Sequence, residues 1–178
     1  MRIFISIEIP KEIKEEIVKI QDSLKKQNLF KGKFTKKENL HLTLKFLGEV
    51  ETNKIENIKN KLEKISFKQF YTQIDHIGLF SEKFIRIVWL GFSGKEITEL
   101  QKEIDEILYP DFEKENRFMG HLTIARVKDV NDRNKLIDFI YNNKIKVLRF
   151  KVKSFSLNQS ILKPEGPEYK EIKKFNLL

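Results

Sequence analysis

The chain contains only three histidines, and two of them open closely similar tetrapeptides, His41-Leu42-Thr43-Leu44 and His121-Leu122-Thr123-Ile124. Apolar residues that favour β-strands flank both copies. Because successive side chains of a strand point to opposite faces, the histidine and threonine of each copy share one face, roughly 7 Å apart along the strand. The repeat therefore predicts two matched pairs, each presenting an imidazole and a hydroxyl on an apolar backing.

Two such pairs facing each other have the groups that hydrolysis of a phosphodiester needs. One imidazole can act as general base on water and the other as general acid on the leaving oxygen. The two threonine hydroxyls can donate hydrogen bonds to the non-bridging oxygens as charge builds there. The alternative is a pair of ordinary strand histidines, each with one ring nitrogen bonded to a backbone carbonyl, and the matched threonines favour the catalytic interpretation.

With these motifs, the sequence resembles the two-histidine phosphoesterases, and specifically the RNA 2′,3′-cyclic phosphodiesterases, also called 2′-5′ RNA ligases. The resemblance runs nearly end to end, through residues 2–10, 38–50, 86–91, 120–127 and 155–160. Three positions depart from the usual family pattern: Phe34 replaces a tryptophan, Ser6 an alanine, and Gly120 a proline. These departures leave the motif positions intact, and they affect the shape of the pocket floor and the nucleotide preference.

The resemblance implies a role for each motif residue. His41 would donate a proton to the leaving ribose oxygen and His121 would accept one from water, which leaves a 2′-phosphate end. Thr43 and Thr123 would bind the phosphate. The implied partner is an RNA with a 2′,3′-cyclic phosphate end, such as a tRNA fragment, acted on by a monomer. Reversible 2′-5′ RNA ligation without ATP would be a side reaction.

Phe46 and Arg126 each lie five residues after their motif histidine. An aromatic face and a guanidinium plane can clamp a nucleobase between them, which makes both candidates for substrate binding. Strict alternation places both on the face opposite the histidines, so the clamp requires a twist or bulge near the strand end. The alternative places Phe46 in the core and pairs Arg126 with a carboxylate. Lys45 has the favourable parity and is predicted to steer RNA.

No metal or cofactor is expected. The chain has no cysteine, and the third histidine, His76, lies far from both motifs, so carboxylates would have to complete any zinc site. His76 has no threonine two positions later and is predicted to be structural or on the surface. There is no glycine-rich phosphate loop, so ATP is not implied.

Composition is that of a compact cytoplasmic protein. The 178 residues include 35 Lys and Arg against 26 Asp and Glu, a net charge of +9 that fits a polyanionic partner. No stretch approaches the roughly 20 apolar residues that span a bilayer, and the first nine residues alternate like a strand rather than a signal peptide. We therefore expect no membrane association.

The apolar periodicity predicts alternating strands and helices. Strands are expected at residues 2–9, 40–47, 67–80, 83–92, 119–127, 146–162 and 169–176, and helices at 11–29, from an N-cap at Thr52, from Ser93 or Gly94, and at 131–141. No flexible linker divides the halves, so residues 1–178 are predicted to form one two-lobed domain. The resemblance implies an α+β fold in which two pseudo-symmetric antiparallel sheets, with helices on their outer faces, enclose a central groove containing both motifs.

Two other functions stay open on the sequence. One is a phosphodiesterase for a small cyclic nucleotide such as ADP-ribose 1″,2″-cyclic phosphate, against which the context of the first motif at residues 38–50 argues. The other is a noncatalytic RNA-binding module, which would have no need of two complete motifs.

Overall fold

The computed structural model describes all 178 residues as nine strands and four helices. In chain order these are β1 (Arg2–Glu8), α1 (Lys11–Lys26), β2 (Phe30–Phe34), β3 (His41–Glu49), α2 (Ile55–Leu62), β4 (Phe70–Leu79), β5 (Ile87–Ser93), α3 (Glu96–Leu108), β6 (His121–Val130), α4 (Arg133–Asn142), β7 (Leu148–Val152), β8 (Ser154–Lys163) and β9 (Gly166–Asn176). None of the helices is long and apolar enough to cross a membrane.

The strands form two antiparallel sheets, which confirms the predicted α+β class. The first sheet has the order β3-β1-β8-β9 and the second has the order β2-β6-β5-β4-β7. The first motif opens β3, at the edge of the first sheet, and the second motif opens β6, inside the second sheet. Each sheet therefore carries one histidine and threonine pair at the start of a strand.

The helices tie the two sheets together. Helix α1 follows the first strand of the first sheet but packs on β6 and β7 of the second, whereas α3 follows β5 of the second sheet and packs on β3 of the first as well as on β4 of the second. Ile17 in α1 and Ile104 in α3, at the centres of the apolar stripes, are completely buried. Forty buried residues from both sheets form one continuous cluster. This exchange of helices supports the proposal of a single two-lobed domain over residues 1–178.

Strand pairing differs from the sequence prediction at two places. The single strand expected over residues 146–162 is broken at Lys153 into β7, which pairs in the second sheet, and β8, which pairs in the first. Alternation continues through this point without glycine or proline, so only the choice of pairing partner divides the run. Strand β2 was not expected, because its sequence is short and lysine-rich. In the structure it is mostly exposed and pairs only with β6.

Three helix boundaries also differ. Thr52 opens a short 3-10 turn instead of capping α2. Ser93 still belongs to β5, and Gly94, with φ of 119°, turns the chain before α3 begins. Helix α1 ends at residue 26 rather than 29 because Asn28 takes a left-handed conformation with φ of 49°.

Candidate active site

The first motif presents an imidazole with a fixed tautomer. Nδ1 of His41 donates to the carbonyl oxygen of Asn39 at 2.7 Å, and because a carbonyl only accepts, Nδ1 carries the proton of the neutral ring. Nε2 lies 3.0 Å from Oγ1 of Thr43. The neutral ring therefore accepts from the threonine hydroxyl, and Nε2 is the nitrogen available for proton transfer.

Aromatic rings enclose His41. The centroid of the Phe4 ring lies 5.1 Å from that of His41, and Tyr169 packs edge-on at 5.0 Å. Burial lowers the pKa of His41, and the hydrogen bond to the carbonyl of Asn39 opposes that effect without reversing it. In the absence of a bound anion, His41 is thus biased toward its neutral form.

Positive charges outside the first sheet affect the pKa of His41. After burial, the positive charges of Lys14, His121 and Arg126 lower its pKa further. The charge of Arg126 also acts on Tyr169, where it opposes the rise in pKa that burial of the phenol produces. His121 and Arg126 both belong to β6, so the two motif strands lie close together across the groove between the sheets.

The second motif repeats the backbone contact of the first. Nδ1 of His121 donates to the carbonyl oxygen of Met119 at 2.8 Å, and the ring of Phe80 packs edge-on with its centroid 4.9 Å away. Both histidines therefore satisfy one nitrogen with the backbone carbonyl two residues earlier, as the alternative interpretation required. In both cases that contact occupies only Nδ1 and leaves Nε2 for other chemistry.

Two β-bulges bring Phe46 and Arg126 onto the motif face. Strand β3 pairs with β1 at Thr43 and Lys45, so Leu44 is an extra residue, and β6 pairs with β5 at Thr123 and Ala125, so Ile124 is extra. Each extra residue reverses the alternation beyond it. Phe46 is 70% exposed and its ring lies 6.2 Å from that of Phe4, beside His41.

Helix α1 holds the bulge in β6. The side-chain amide of Gln21, which is buried, donates to the carbonyl oxygens of Ile124 and Thr35, both at 2.9 Å. The backbone N–H of Thr35 also donates to the carbonyl of Ile124, at 3.0 Å. Since Ile124 is the bulged residue, these bonds stabilise the irregularity that turns Arg126 toward the groove.

The prediction that Lys45 steers RNA is wrong. The bulge at Leu44 turns Lys45 to the core side, where its Nζ lies 2.5 Å from Oδ1 of Asp105 and 2.6 Å from the carbonyl oxygen of Glu113. Both charged side chains are only 5% exposed. Lys45 instead joins β3 to α3 and to the segment that leads into the second motif.

Sequence reasoning missed part of the surroundings of His41. A cavity beside it is lined by Tyr169 and by the polar side chains of Ser6 and Asn158, which are joined by a hydrogen bond of 3.0 Å. Ser6, in β1 beside β3, is one of the departures that bear on the pocket floor, and Asn158 could have been found from its alternation in β8, which pairs with β1. Tyr169 gave no signal, because β9 reaches the site only through its pairing with β8.

His76 lies in the second sheet, as part of a polar cluster. Its Nδ1 donates to Oδ1 of Asp75 at 2.6 Å, and the same carboxylate accepts hydrogen bonds from Ser93 and Gln73. The side chain of His76 is 54% exposed, which agrees with the prediction of a structural or surface role. No three His, Asp or Glu side chains of the chain are arranged so that they could hold a metal ion.

The model of the LigT-like phosphoesterases matches residues 7–89 and 93–169. The chain belongs to this family. It is 40% identical to the RNA 2′,3′-cyclic phosphodiesterase of Methanocaldococcus jannaschii, over 98% of this chain and 100% of the relative. It is 33% identical to the protein of the same name from Methanothermobacter thermautotrophicus, over 99% of both chains.

Solved structures of the family share the fold. The apo form of Escherichia coli LigT superposes with a TM-score of 0.79 at 24% identity, covering 99% of this chain and 96% of that one. A complex of the same protein with 3′-AMP has a TM-score of 0.76 at 24% identity, covering 99% and 97%. At this identity the likeness extends to the fold alone.

Proposed function

We propose that this protein hydrolyses 2′,3′-cyclic phosphate ends of RNA to 2′-phosphomonoesters. The observation that carries the proposal is the pair of matched His-x-Thr motifs, one on each sheet, placed so that His121 contributes to lowering the pKa of His41 across the groove. The names of the archaeal relatives, which match nearly the whole chain, support RNA with a cyclic phosphate end as the substrate.

In the proposed reaction, a water molecule attacks phosphorus and the bond from phosphorus to the ribose O3′ breaks. His121 takes the proton of the water at Nε2, and His41 gives a proton from Nε2 to O3′. The carbonyls of Asn39 and Met119 support this use of Nε2, because each fixes Nδ1 as the protonated nitrogen of a neutral ring. The product carries a 2′-phosphate and a free 3′ hydroxyl.

The acid role requires His41 to be protonated when the substrate is bound. Burial and the nearby cations lower its pKa in the free protein. A phosphodiester bound beside the ring brings a negative charge into the same buried setting, which favours the imidazolium. Substrate binding therefore loads the acid.

Thr43 and Thr123 are proposed to hold the non-bridging oxygens. The hydroxyl of Thr43 is bonded to His41, and this bond can be exchanged for one to a phosphate oxygen once the ring is protonated. Charge accumulates on the non-bridging oxygens as water attacks, so donors aimed at them favour the transition state over the ground state.

Phe46 and Arg126 are proposed to clamp the terminal base. The two bulges support the clamp, because they give both side chains the parity of the motif residues. Phe46 is exposed beside Phe4, and Arg126 is close enough to affect the pKa of His41 and of Tyr169. A base stacked between a ring and a guanidinium would orient the ribose toward the two histidines.

The mechanism uses only side chains of this protein, so we propose that it operates without a metal ion and without ATP. Reversal of the hydrolysis would re-form the cyclic diester from the 2′-phosphate and the adjacent 3′ hydroxyl with loss of water. Attack on phosphorus by a 5′ hydroxyl in place of water would break the same bond to O3′ and give a 2′-5′ linkage with a free 3′ hydroxyl. We expect a monomer to be active, because both motifs belong to one chain.

The test is hydrolysis of an oligoribonucleotide ending in 2′,3′-cyclic phosphate by EDTA-treated protein, with the terminal isomer of the product identified. His41→Ala and His121→Ala are measured alongside, together with Tyr141→Ala as a control at an exposed residue of α4 outside both motifs. Metal-free conversion to the 2′-phosphate that needs both motif histidines and tolerates the control would agree with the proposal.

Different failures lead to different conclusions. Formation of the 3′-phosphate would refute the proposed leaving oxygen. Turnover that needs a divalent cation would refute the metal-free mechanism. Hydrolysis of ADP-ribose 1″,2″-cyclic phosphate but not of RNA would identify a small cyclic nucleotide as the substrate, and RNA binding without any turnover would identify a noncatalytic module.

A further inference from the structure

The groove face of the second sheet carries a run of aromatic rings that begins at the second motif. The ring of Phe80 packs against His121 and lies 5.6 Å from Trp89, and Trp89 lies 5.5 Å from His76. These side chains come from three adjacent strands or their ends, β6, β5 and β4. Phe80 is 53% exposed, so the run starts at the candidate active site and is open to a ligand.

Two glycines allow the rings to lie on the sheet. A Cβ atom at Gly78 would overlap the ring of Trp89, and a Cβ atom at Gly91 would overlap the ring of His76. Gly78 is paired with Trp89, and Gly91 with His76, so each glycine lies beneath the ring of the neighbouring strand. The backbone is thus covered by flat side chains at the positions where a base could stack.

A third bulge extends this surface toward the edge of the sheet. Strand β4 pairs with β5 at Gln73 and Ile74 and again at His76, so Asp75 is an extra residue and Tyr71 acquires the parity of His76. Tyr71 is 56% exposed, and the guanidinium of Arg149 on β7 lies 4.8 Å from the centre of its ring. Lys151, directly opposite Tyr71 in the pairing, adds a second cation.

The two sides of the groove differ in charge. The cavity beside His41 in the first sheet is lined by three carboxylates, of Glu8, Glu38 and Glu171, and by one cation, Lys14. On the second sheet, the groove face has Arg126 at one end and Arg149 at the other. The one carboxylate between them, that of Asp75, is occupied by three hydrogen-bond donors. An RNA strand that extends away from the site is therefore expected to lie along the second sheet.

We propose that the nucleotides preceding the cyclic end bind as a single strand along this surface, with bases stacked on Phe80, His76 and Tyr71 and phosphates near Arg149 and Lys151. Exposed rings interleaved with cations on an open sheet are the common means of holding single-stranded RNA. The inference rests on the proposed function and deepens it, because it makes polymeric RNA, rather than a cyclic mononucleotide, the preferred substrate.

The experiment compares two substrates, cytidine 2′,3′-cyclic phosphate and a short single-stranded oligoribonucleotide with the same terminal nucleotide. The test protein is the double variant Tyr71→Ala/Arg149→Gln. The matched control is Tyr141→Ala/Lys144→Gln, which removes an exposed tyrosine and a cation at the end of α4, on the core side of β4.

We expect kcat/KM of the oligomer to fall by about tenfold in the test variant, the effect of losing one stacked base and its neighbouring cation. The mononucleotide should be hydrolysed as by the unsubstituted protein, and the control variant should behave normally on both substrates. The dependence of oligomer KM on salt concentration should become shallower in the test variant only, because one phosphate contact is lost.

Equal rates on the oligomer for the test and control variants would overturn the inference, as would an unsubstituted protein that hydrolyses both substrates with equal kcat/KM. An equal loss on both substrates would also overturn it, because the surface would then serve the reacting end. If the unsubstituted protein hydrolyses neither substrate, the proposed function itself fails, which is a distinct result.

Discussion

Replacing Lys45 by methionine removes one partner of the only ion pair in which both side chains are 5% exposed. The carboxylate of Asp105 would keep two donors, the side-chain amide of Gln101 at 2.7 Å and the backbone N–H of Glu115 at 2.8 Å. The carbonyl of Glu113 would lose the lysine donor. Breaking a buried pair costs about 3–5 kcal/mol, and because Asp105 keeps two donors we expect about 3 kcal/mol.

The assay is urea unfolding at pH 7, followed by circular dichroism, with Lys59→Met as the control. Lys59 forms an exposed i,i+3 pair with Glu56, and such a pair is worth about 0.5 kcal/mol or less. Methionine has a similar length to lysine without the charge, so the comparison isolates the effect of burial. A cost for Lys45→Met below about 1 kcal/mol, or equal to that of the control, would refute the reasoning.

The pH dependence provides a second check. Burial raises the pKa of Asp105, but the hydrogen bonds from Lys45, Glu115 and Gln101 outweigh it, and the pKa is lowered overall. A group with a lowered folded-state pKa contributes stability that is complete above its unfolded-state pKa of about 3.9 and is lost as pH falls through the folded-state value. The difference in unfolding free energy between Lys45→Met and the unsubstituted protein should therefore narrow below about pH 4.

Four further outcomes are expected. His41→Ala and His121→Ala should each lower kcat by about 10² to 10⁴, and near-normal turnover of either would contradict acid and base catalysis. Thr123→Val should lower kcat by about 10² without changing the unfolding midpoint, whereas a loss of folding would show that the hydroxyl is structural. As pH rises, kcat/KM should fall at the pKa of His41 in the free protein, which is lower than the ordinary value for histidine. The corresponding fall in kcat should occur at higher pH, because the bound anion favours the imidazolium. If kcat and kcat/KM fall at the same pH, substrate does not load the acid. Gly78→Ala should destabilise the protein by about 1–3 kcal/mol in thermal unfolding, since the added methyl overlaps the buried ring of Trp89, and an unchanged midpoint would show that the ring moves aside freely.

The sequence predicted the two motif strands and the helices because each depends on local periodicity, whereas the antiparallel α+β class came from the resemblance to the family. A His-x-Thr pair shares a face wherever the chain is extended, and the apolar spacing of α1 and α3 requires a core to bury it. Strict alternation placed Lys45 on the face of the histidines and placed Phe46 and Arg126 on the opposite face, and these placements were wrong for one reason. A bulge adds one residue to a strand, so each residue beyond it points to the face opposite to the one that alternation predicts. No residue type around Leu44 indicates a bulge there.

The amino-acid sequence by itself determined which groups could do the chemistry and that they come in two matched sets. Only the tertiary structure decided how they meet. Strand β9 brings Tyr169 to His41 through long-range pairing, Gln21 reaches across from α1 to hold the bulge at Ile124, and a run of alternating residues is divided at Lys153 between two sheets. Each of these depends on contacts between segments far apart in the chain, where the free energy of pairing and burial, rather than local preference, selects the partner.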